Sequence, residues 1–152
     1  MAMAKPEPSL KARAMRFLAR REHTRVELGR KLAARVRDGE DVERLLDELT
    51  QRGWLSEARY AEQAIRSKAR RYGPNKLAHY LKGKGLGEEA IAAGLKSAGA
   101  DGASSLETVW RSRFRAAPPD EREKLRQVRF LQGRGFAVDE IFKFMKSMEA
   151  KS

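Results

Sequence analysis

Hydrophobic residues recur along the chain at every third or fourth position, the spacing of one helix face, and strand-like alternation is nearly absent. The pattern predicts nine helices separated by glycine, proline and small polar residues. Ser9 is expected to cap the first helix, which runs from Leu10 to about Arg21. Thr24-Arg25-Val26-Glu27 has the spacing of a capping box and opens the second helix. The chain is therefore predicted to be all-α.

The later helix boundaries are marked by residues that stop or start helices. Gly39 and Gly53 are expected to end the second and third helices. Gly73-Pro74 ends one helix and opens the next, because proline fits the first helical turn. Pro118-Pro119 separates the seventh helix from the eighth.

One face of each predicted helix is expected to form the core. The residues assigned to these faces are Leu10, Ala14, Phe17 and Leu18; Leu28, Leu32 and Val36; Val42, Leu45, Leu46 and Leu49; Ala61, Ala64, Ile65 and Ala69; Leu77, Tyr80 and Leu81; Ile91 and Leu95; Leu106, Val109, Trp110 and Phe114; Leu125, Val128 and Leu131; and Val138, Ile141, Phe142 and Met145. Trp54, Phe130 and Phe136 are also expected in the core and not as platforms for stacking bases.

An internal repeat organises these helices. The segment 80–86, YLKGKGL, matches 130–136, FLQGRGF, and Ile91 then aligns with Ile141 in the same register. A looser copy precedes them, so three units of three helices are predicted at 10–53, 54–98 and 99–152, after a disordered tail at 1–9. Small units gain stability by stacking along one axis, which predicts an elongated and curved molecule.

Composition narrows the classes of partner. Of 152 residues, 33 are Lys or Arg and 21 are Asp or Glu, giving a net charge of +12. Such a balance favours polyanionic partners. Cysteine is absent, which excludes disulfides and thiol nucleophiles. No apolar run approaches the ~20 residues that span a bilayer, so a cytoplasmic protein with no membrane contact is expected.

Candidate catalytic groups are sparse. His23 and His79 are the only histidines, and neither has a companion at metal-ligand spacing, so both are expected to have surface or packing roles. The glycines at 83–87 lack the spacing of a phosphate-binding loop and are interpreted as helix caps. No nucleophile and base can be paired. No catalytic residue, metal or cofactor is predicted, and an enzyme is not expected.

Basic residues give the strongest indication of a binding surface. Residues 63–87 contain seven Lys or Arg and no acid, so a partner with negative charge is expected there. A merely solvated face is the alternative. The candidate binding residues, including those of the first unit, are Arg20, Arg21, Arg25, Arg66, Lys68, Arg70, Arg71, Lys76, Lys82 and Lys84.

Several motifs together resemble the RecX family of regulatory proteins. They are FLARREHTRVEL at 17–28, LDELTQRGWL at 46–55, YGP at 72–74 and RFLQGRGF at 129–136. The resemblance covers about residues 10–148. It is specific as a set, although the Pro118-Pro119 connection departs from the family pattern.

The resemblance implies both a fold and a partner. It implies three tandem three-helix repeats in an elongated, curved arrangement, and a non-enzymatic protein that binds RecA filaments on DNA. It also implies inhibition of RecA ATP hydrolysis, strand exchange and stimulation of repressor cleavage. A monomer is expected, with weak, salt-dependent binding to single- or double-stranded DNA. The alternative is a stand-alone basic DNA-binding helical module, which would bind DNA whether or not RecA is present.

Overall fold

The computed structural model describes residues 7–98 and 103–151, and over these residues it contains nine α-helices and no strand. The all-α prediction is confirmed. The helices are α1 Leu10–Arg20, α2 Arg25–Ala33, α3 Val42–Gln51, α4 Glu57–Lys68, α5 Pro74–Gly83, α6 Glu88–Ser97, α7 Ala103–Arg111, α8 Glu121–Gly133 and α9 Val138–Lys151. Residues 1–6 of the expected tail, and 99–102 at the expected start of the third unit, lie outside the described residues.

Side-chain caps explain where several helices begin. The Ser9 hydroxyl accepts from the Ala12 amide at 3.1 Å, and the Thr24 hydroxyl accepts from the Glu27 amide at 3.0 Å. Only this half of the predicted capping box is seen, because the Glu27 carboxylate accepts from Arg21. The same type of cap opens α3, α4 and α8.

Each set of three helices encloses its own hydrophobic cluster. The first cluster includes Leu28, Leu32 and Leu49; the second includes Ile65, Leu77 and Leu81; the third includes Trp110, Leu131 and Ile141. The solvent-accessible area is 10700 Å², against roughly 7,800 Å² for a compact monomer of 17.2 kDa. Three small cores, together with this excess of solvent-accessible area, indicate an elongated molecule.

Besides Tyr80, which is described below, five residues assigned to the core are instead exposed. Val36 is exposed because α2 ends at Ala33, so the helical spacing that placed it inward no longer applies. The others are Trp54, Leu125, Val138 and Phe142, with 38% to 49% of their surface exposed. Nearby cations cover part of some of these rings: Lys11 and Arg52 flank Trp54, and Lys124 lies over Phe142.

Tyr80, also assigned inward, is 37% exposed. It lies one residue before the fully buried Leu81, and a helix turns by about 100° per residue. The side chain therefore emerges at the edge of the second core, where it can contact solvent and its neighbours.

Backbone groups join the second unit to the third. The amides of Gly73 and Asn75 donate to the carbonyls of Arg134 and Gly135 at 2.7 and 2.9 Å. Gly73 has no side chain with which to cap α5, so the turn between α8 and α9 caps it instead. The approach is close: a Cβ on Gly135 would lie 2.6 Å from the backbone nitrogen of Lys76.

The first and second units meet through side chains. Arg59 donates to the Glu22 carboxylate at 2.8 Å and to the Gly53 carbonyl at 2.6 Å. The turn at Gly85, equivalent to the turn at Gly135, faces the Val26 side chain. Thr24 already caps α2 here, so the carbonyls of the Gly85 turn do not cap this helix.

Candidate functional site

The acid-free stretch runs from the second half of α4, through α5, to the turn before α6. Its cations lie on or beside helices that are fixed by the second core. Two tyrosines, Tyr80 and Tyr72, collect several of these cations around their rings.

Tyr80 lies between two of the predicted binding residues. The Lys68 ammonium is 4.7 Å from the centre of the ring and the Lys84 ammonium is 5.5 Å away. Lys68 ends α4, whereas Lys84 follows α5, so packing of the two helices brings them together. The arrangement offers two positive charges and a partly exposed aromatic face to one ligand.

This cluster extends to the first unit through Tyr60. Burial raises the pKa of Tyr60, and the adjacent Tyr80 and Glu27 act in the same direction. Arg21 also interacts electrostatically with Tyr60. The structure therefore places the predicted residue Arg21 near the group formed by Lys68, Tyr80 and Lys84, although Arg21 is far from them in sequence.

Tyr72 carries a second pair of cations. The Lys76 ammonium lies 4.9 Å from its ring centre, and the Arg134 guanidinium lies 5.7 Å away. Lys76 also donates to the Gly133 carbonyl at 3.3 Å, so this predicted binding residue takes part in the junction between units. Arg134 was not predicted as a binding residue. The repeat offered the signal, because Arg134 aligns with Lys84.

The remaining middle-unit cations differ in their pairing. Arg66 pairs with Glu62 at 2.6 Å. Arg70, Arg71 and Lys82 are exposed, and no ion pair in the described part of the chain involves them. These three charges are the ones most open to an external anion.

The first-unit candidates Arg21 and Arg25 are tied to carboxylates of their own unit. Arg21 donates two hydrogen bonds to Glu27, at 3.0 and 2.7 Å, and this contact lowers the pKa of Glu27 to about 2. Arg25 lies 2.9 Å from Glu43 and 2.7 Å from Asp47, which joins α2 to α3. Their positive charge is therefore partly neutralised within the chain.

Arg20, the third candidate of this unit, is exposed at the end of α1. It lines a cavity of about 250 Å³ together with Arg16 and Phe17. This position is separate from the Tyr80 cluster, so the structure does not bring all ten candidate residues to one place.

The two histidines occupy different surroundings. His23 is 1% exposed, with Nδ1 3.0 Å from the Arg21 carbonyl and Nε2 3.0 Å from the Lys31 ammonium. Burial lowers the pKa of His23, because a charged ring would lose its hydration there. His23 is thus a packing residue, as expected, while His79 is exposed on α5.

Two kinds of feature are absent from the described residues. Among residues 7–98 and 103–151, no three His, Cys, Asp or Glu side chains are grouped so that they could hold a metal ion. No helix in the same ranges is long and apolar enough to cross a membrane.

Family models match each of the three units. The first three-helix domain of RecX matches residues 11–49, the second matches residues 56–95 and the third matches residues 101–145. Together these matches cover well over half of the chain.

Relatives and solved structures agree with this match. The chain is 40% identical to the regulatory protein RecX of Leptothrix cholodnii, over 93% of this chain and 90% of the relative. It is 39% identical to that of Ralstonia nicotianae, over 99% and 94% of the two chains.

The fold is also that of solved RecX structures. The crystal structure of RecX from Lactobacillus salivarius has a TM-score of 0.71 at 18% identity, over 93% of this chain and 95% of that one. A crystal structure of regulatory protein RecX has a TM-score of 0.63 at 21% identity, over 91% and 73%. The three matched domains and the high identity to its relatives show that this chain belongs to the RecX family of regulatory proteins.

Proposed function

We propose that this protein binds RecA, chiefly as the filament that RecA forms on DNA, and inhibits its ATP hydrolysis, strand exchange and stimulation of repressor cleavage. The proposal follows from membership of the RecX family, whose members match the chain along its length. The action is binding alone, with no bond made or broken.

The elongated shape supports contact with more than one RecA protomer. A body that bridges neighbouring protomers would restrict the movements that ATP turnover requires. By linkage, it would favour whichever filament state it binds most tightly. The same position would hinder entry of further subunits or of a second DNA strand.

The observation that carries the proposed contact is the exposed, unpaired charge of Arg70, Arg71 and Lys82, beside the Lys68–Tyr80–Lys84 group. Lysine and arginine that neutralise phosphates release bound counterions, so affinity for DNA falls steeply with salt. An acidic protein surface would also accept these charges, with a shallower dependence on salt because fewer counterions are released.

The first test is the DNA-dependent ATPase activity of RecA, titrated with this protein at two salt concentrations. We expect inhibition well below one molecule per RecA protomer, including when DNA is in excess. Tight binding to bare DNA without inhibition would contradict the proposal and favour a stand-alone DNA-binding module.

The second test reverses the charge at Arg70, Arg71 and Lys82, by substitution of each with Glu. These side chains are exposed, so helicity by circular dichroism should be unchanged, and the concentration for half-inhibition should rise about tenfold or more. Lys76 is left intact because it contacts the third unit.

The matched control carries Arg30→Glu, Lys143→Glu and Lys146→Glu, which change the net charge by the same amount at exposed positions outside the middle unit. The control should inhibit nearly as well as the unmodified protein. Equal loss in both variants would mean that net charge, and not the middle unit, governs binding.

A further inference from the structure

A cavity in the third unit lies apart from the Lys68–Tyr80–Lys84 group. Its volume is about 760 Å³, and it lies between α8 and the connection that leads to it from α7. Cavities of this size hold small organic ligands in other proteins. Its charged lining consists of two acids, Asp120 and Glu123, and five arginines, Arg113, Arg115, Arg122, Arg126 and Arg129.

The two acids do little to offset the arginines across the cavity. The Asp120 carboxylate accepts from the Glu123 amide at 2.8 Å, as the N-cap of α8. The Glu123 carboxylate lies 3.1 Å from Arg126. No ion pair among the described residues involves the other four arginines. The cavity therefore has an excess of positive charge with no internal partner.

Several groups hold the wall of the cavity in place. The Arg113 guanidinium lies 5.2 Å from the ring centre of Phe130, and that of Arg126 lies 5.3 Å from Phe114. Gln127 is 2% exposed; its Oε1 accepts from the indole of Trp110 at 2.8 Å, and its Nε2 lies 3.4 Å from the Ala116 carbonyl. The connection is thus tied to α8, which limits the cost of ordering the site when a ligand binds.

The cavity also has an apolar side. Leu125 is 49% exposed although it lies on α8 beside the core, and Pro119 faces the same space. Guanidinium groups bind phosphate oxygens in pairs, and an apolar surface suits the flat face of a base. We propose that this cavity binds a nucleoside phosphate, with its phosphates on the arginines and its base against Leu125 and Pro119.

Isothermal titration calorimetry of the full chain, without RecA, would test this proposal. The probes are ATP, an eight-residue oligothymidylate and inorganic triphosphate. Saturable binding of ATP would identify a free nucleotide as the ligand, and binding of the oligothymidylate alone would identify a nucleotide within a strand. Both results support the proposal, provided that the variants below weaken the binding.

Two variants and one control test the position of the site. Arg115→Glu with Arg122→Glu should weaken nucleotide binding about tenfold or more, because two phosphate contacts become repulsive. Leu125→Ala should weaken the binding of the nucleotide a few-fold and leave the affinity for triphosphate unchanged. The control, Lys143→Glu with Lys146→Glu, has the same net charge as the double arginine variant and should bind normally.

The proposal is overturned by any of three results. The first is that no probe binds. The second is that the control variant loses as much affinity for the nucleotide as the arginine variant does. The third is that triphosphate binds as tightly as ATP and that Leu125→Ala does not weaken the binding of ATP. Because RecA is absent, failure here leaves the proposed regulatory function untouched.

Discussion

The substitution Gly135→Ala tests the junction between the second and third units. Gly135 has a φ of 100°, in the region that side chains rarely adopt, and a new Cβ would meet the Cβ of Lys76 as well as its backbone. Lys76 lies in the first turn of α5 and cannot move without α5. The two units must therefore separate slightly, or the turn must change shape.

The expected cost has two parts. A left-handed backbone costs a residue with a side chain about 1 to 2 kcal/mol. Separation of the units weakens the two backbone hydrogen bonds from Gly73 and Asn75, each contributing about 1 kcal/mol. The free energy of unfolding should thus fall by about 3 to 4 kcal/mol, a large share of the total for a chain of this size.

Two other glycines of the same backbone type serve as controls. Gly53 has a φ of 76° and open space around it, so Gly53→Ala should cost only the backbone part, about 1 to 2 kcal/mol. Gly85 has a φ of 90°, and its new Cβ would lie 3.0 Å from Cγ2 of Val26, the end of an exposed side chain. Gly85→Ala should therefore resemble Gly53→Ala.

Urea denaturation followed by circular dichroism would measure all three variants. Gly135→Ala should lower the free energy of unfolding the most, and Gly53→Ala and Gly85→Ala should lower it by similar, smaller amounts. If Gly135→Ala is no worse than Gly53→Ala, the close backbone contact does not stabilise the junction. If Gly135→Ala instead broadens the transition, the units unfold separately once their contact is lost.

Two further predictions concern single side chains. Arg21 lowers the pKa of Glu27 to about 2 from an ordinary value of 4.5. The stability that the pair contributes is therefore complete above pH 4.5 and is lost as the pH falls through 2. After allowance for solvent screening of a half-exposed pair, this contribution to the free energy of unfolding is about 1 kcal/mol. Denaturation midpoints of the unmodified chain and of Glu27→Gln should therefore converge towards pH 2, and a constant gap would contradict the pairing. Gln127→Ala should cost about 1 to 3 kcal/mol and alter tryptophan fluorescence, because the buried Trp110 indole N–H loses its acceptor; unchanged stability would mean that water replaces the amide.

Local sequence signals predicted the helices because spacing and caps act within a few residues. Ser9, Ser56 and the glycines Gly53, Gly85 and Gly135 each mark a boundary that neighbouring residues determine. The prediction that Gly39 ends the second helix is wrong, because α2 ends at Ala33. Exposure was less predictable where packing decides it. Phe142 lies next to the buried Ile141, and only the position of neighbouring helices determines which of two adjacent apolar residues faces the core.

The candidate binding residues likewise combine features that are visible in the sequence with features that depend on packing. An acid-free stretch is visible in sequence, so the cations of the middle unit could be named. Their grouping around Tyr80 and Tyr72 depends on how α4 packs with α5 and how the third unit meets the second. The pairing of Arg25 with Asp47, which reduces its availability, likewise depends on the packing of α2 against α3.

The two junctions show why equal turns need not make equal contacts. Gly85 and Gly135 belong to the same repeated turn and share a left-handed backbone. Thr24 caps the helix that the first turn meets, and a Cβ added to Gly85 would contact only the Val26 side chain. Gly73 cannot cap its helix, so the second turn supplies the missing acceptors. The residue that precedes the receiving helix, and not the turn itself, therefore determines whether neighbouring units are joined by backbone hydrogen bonds or by side chains.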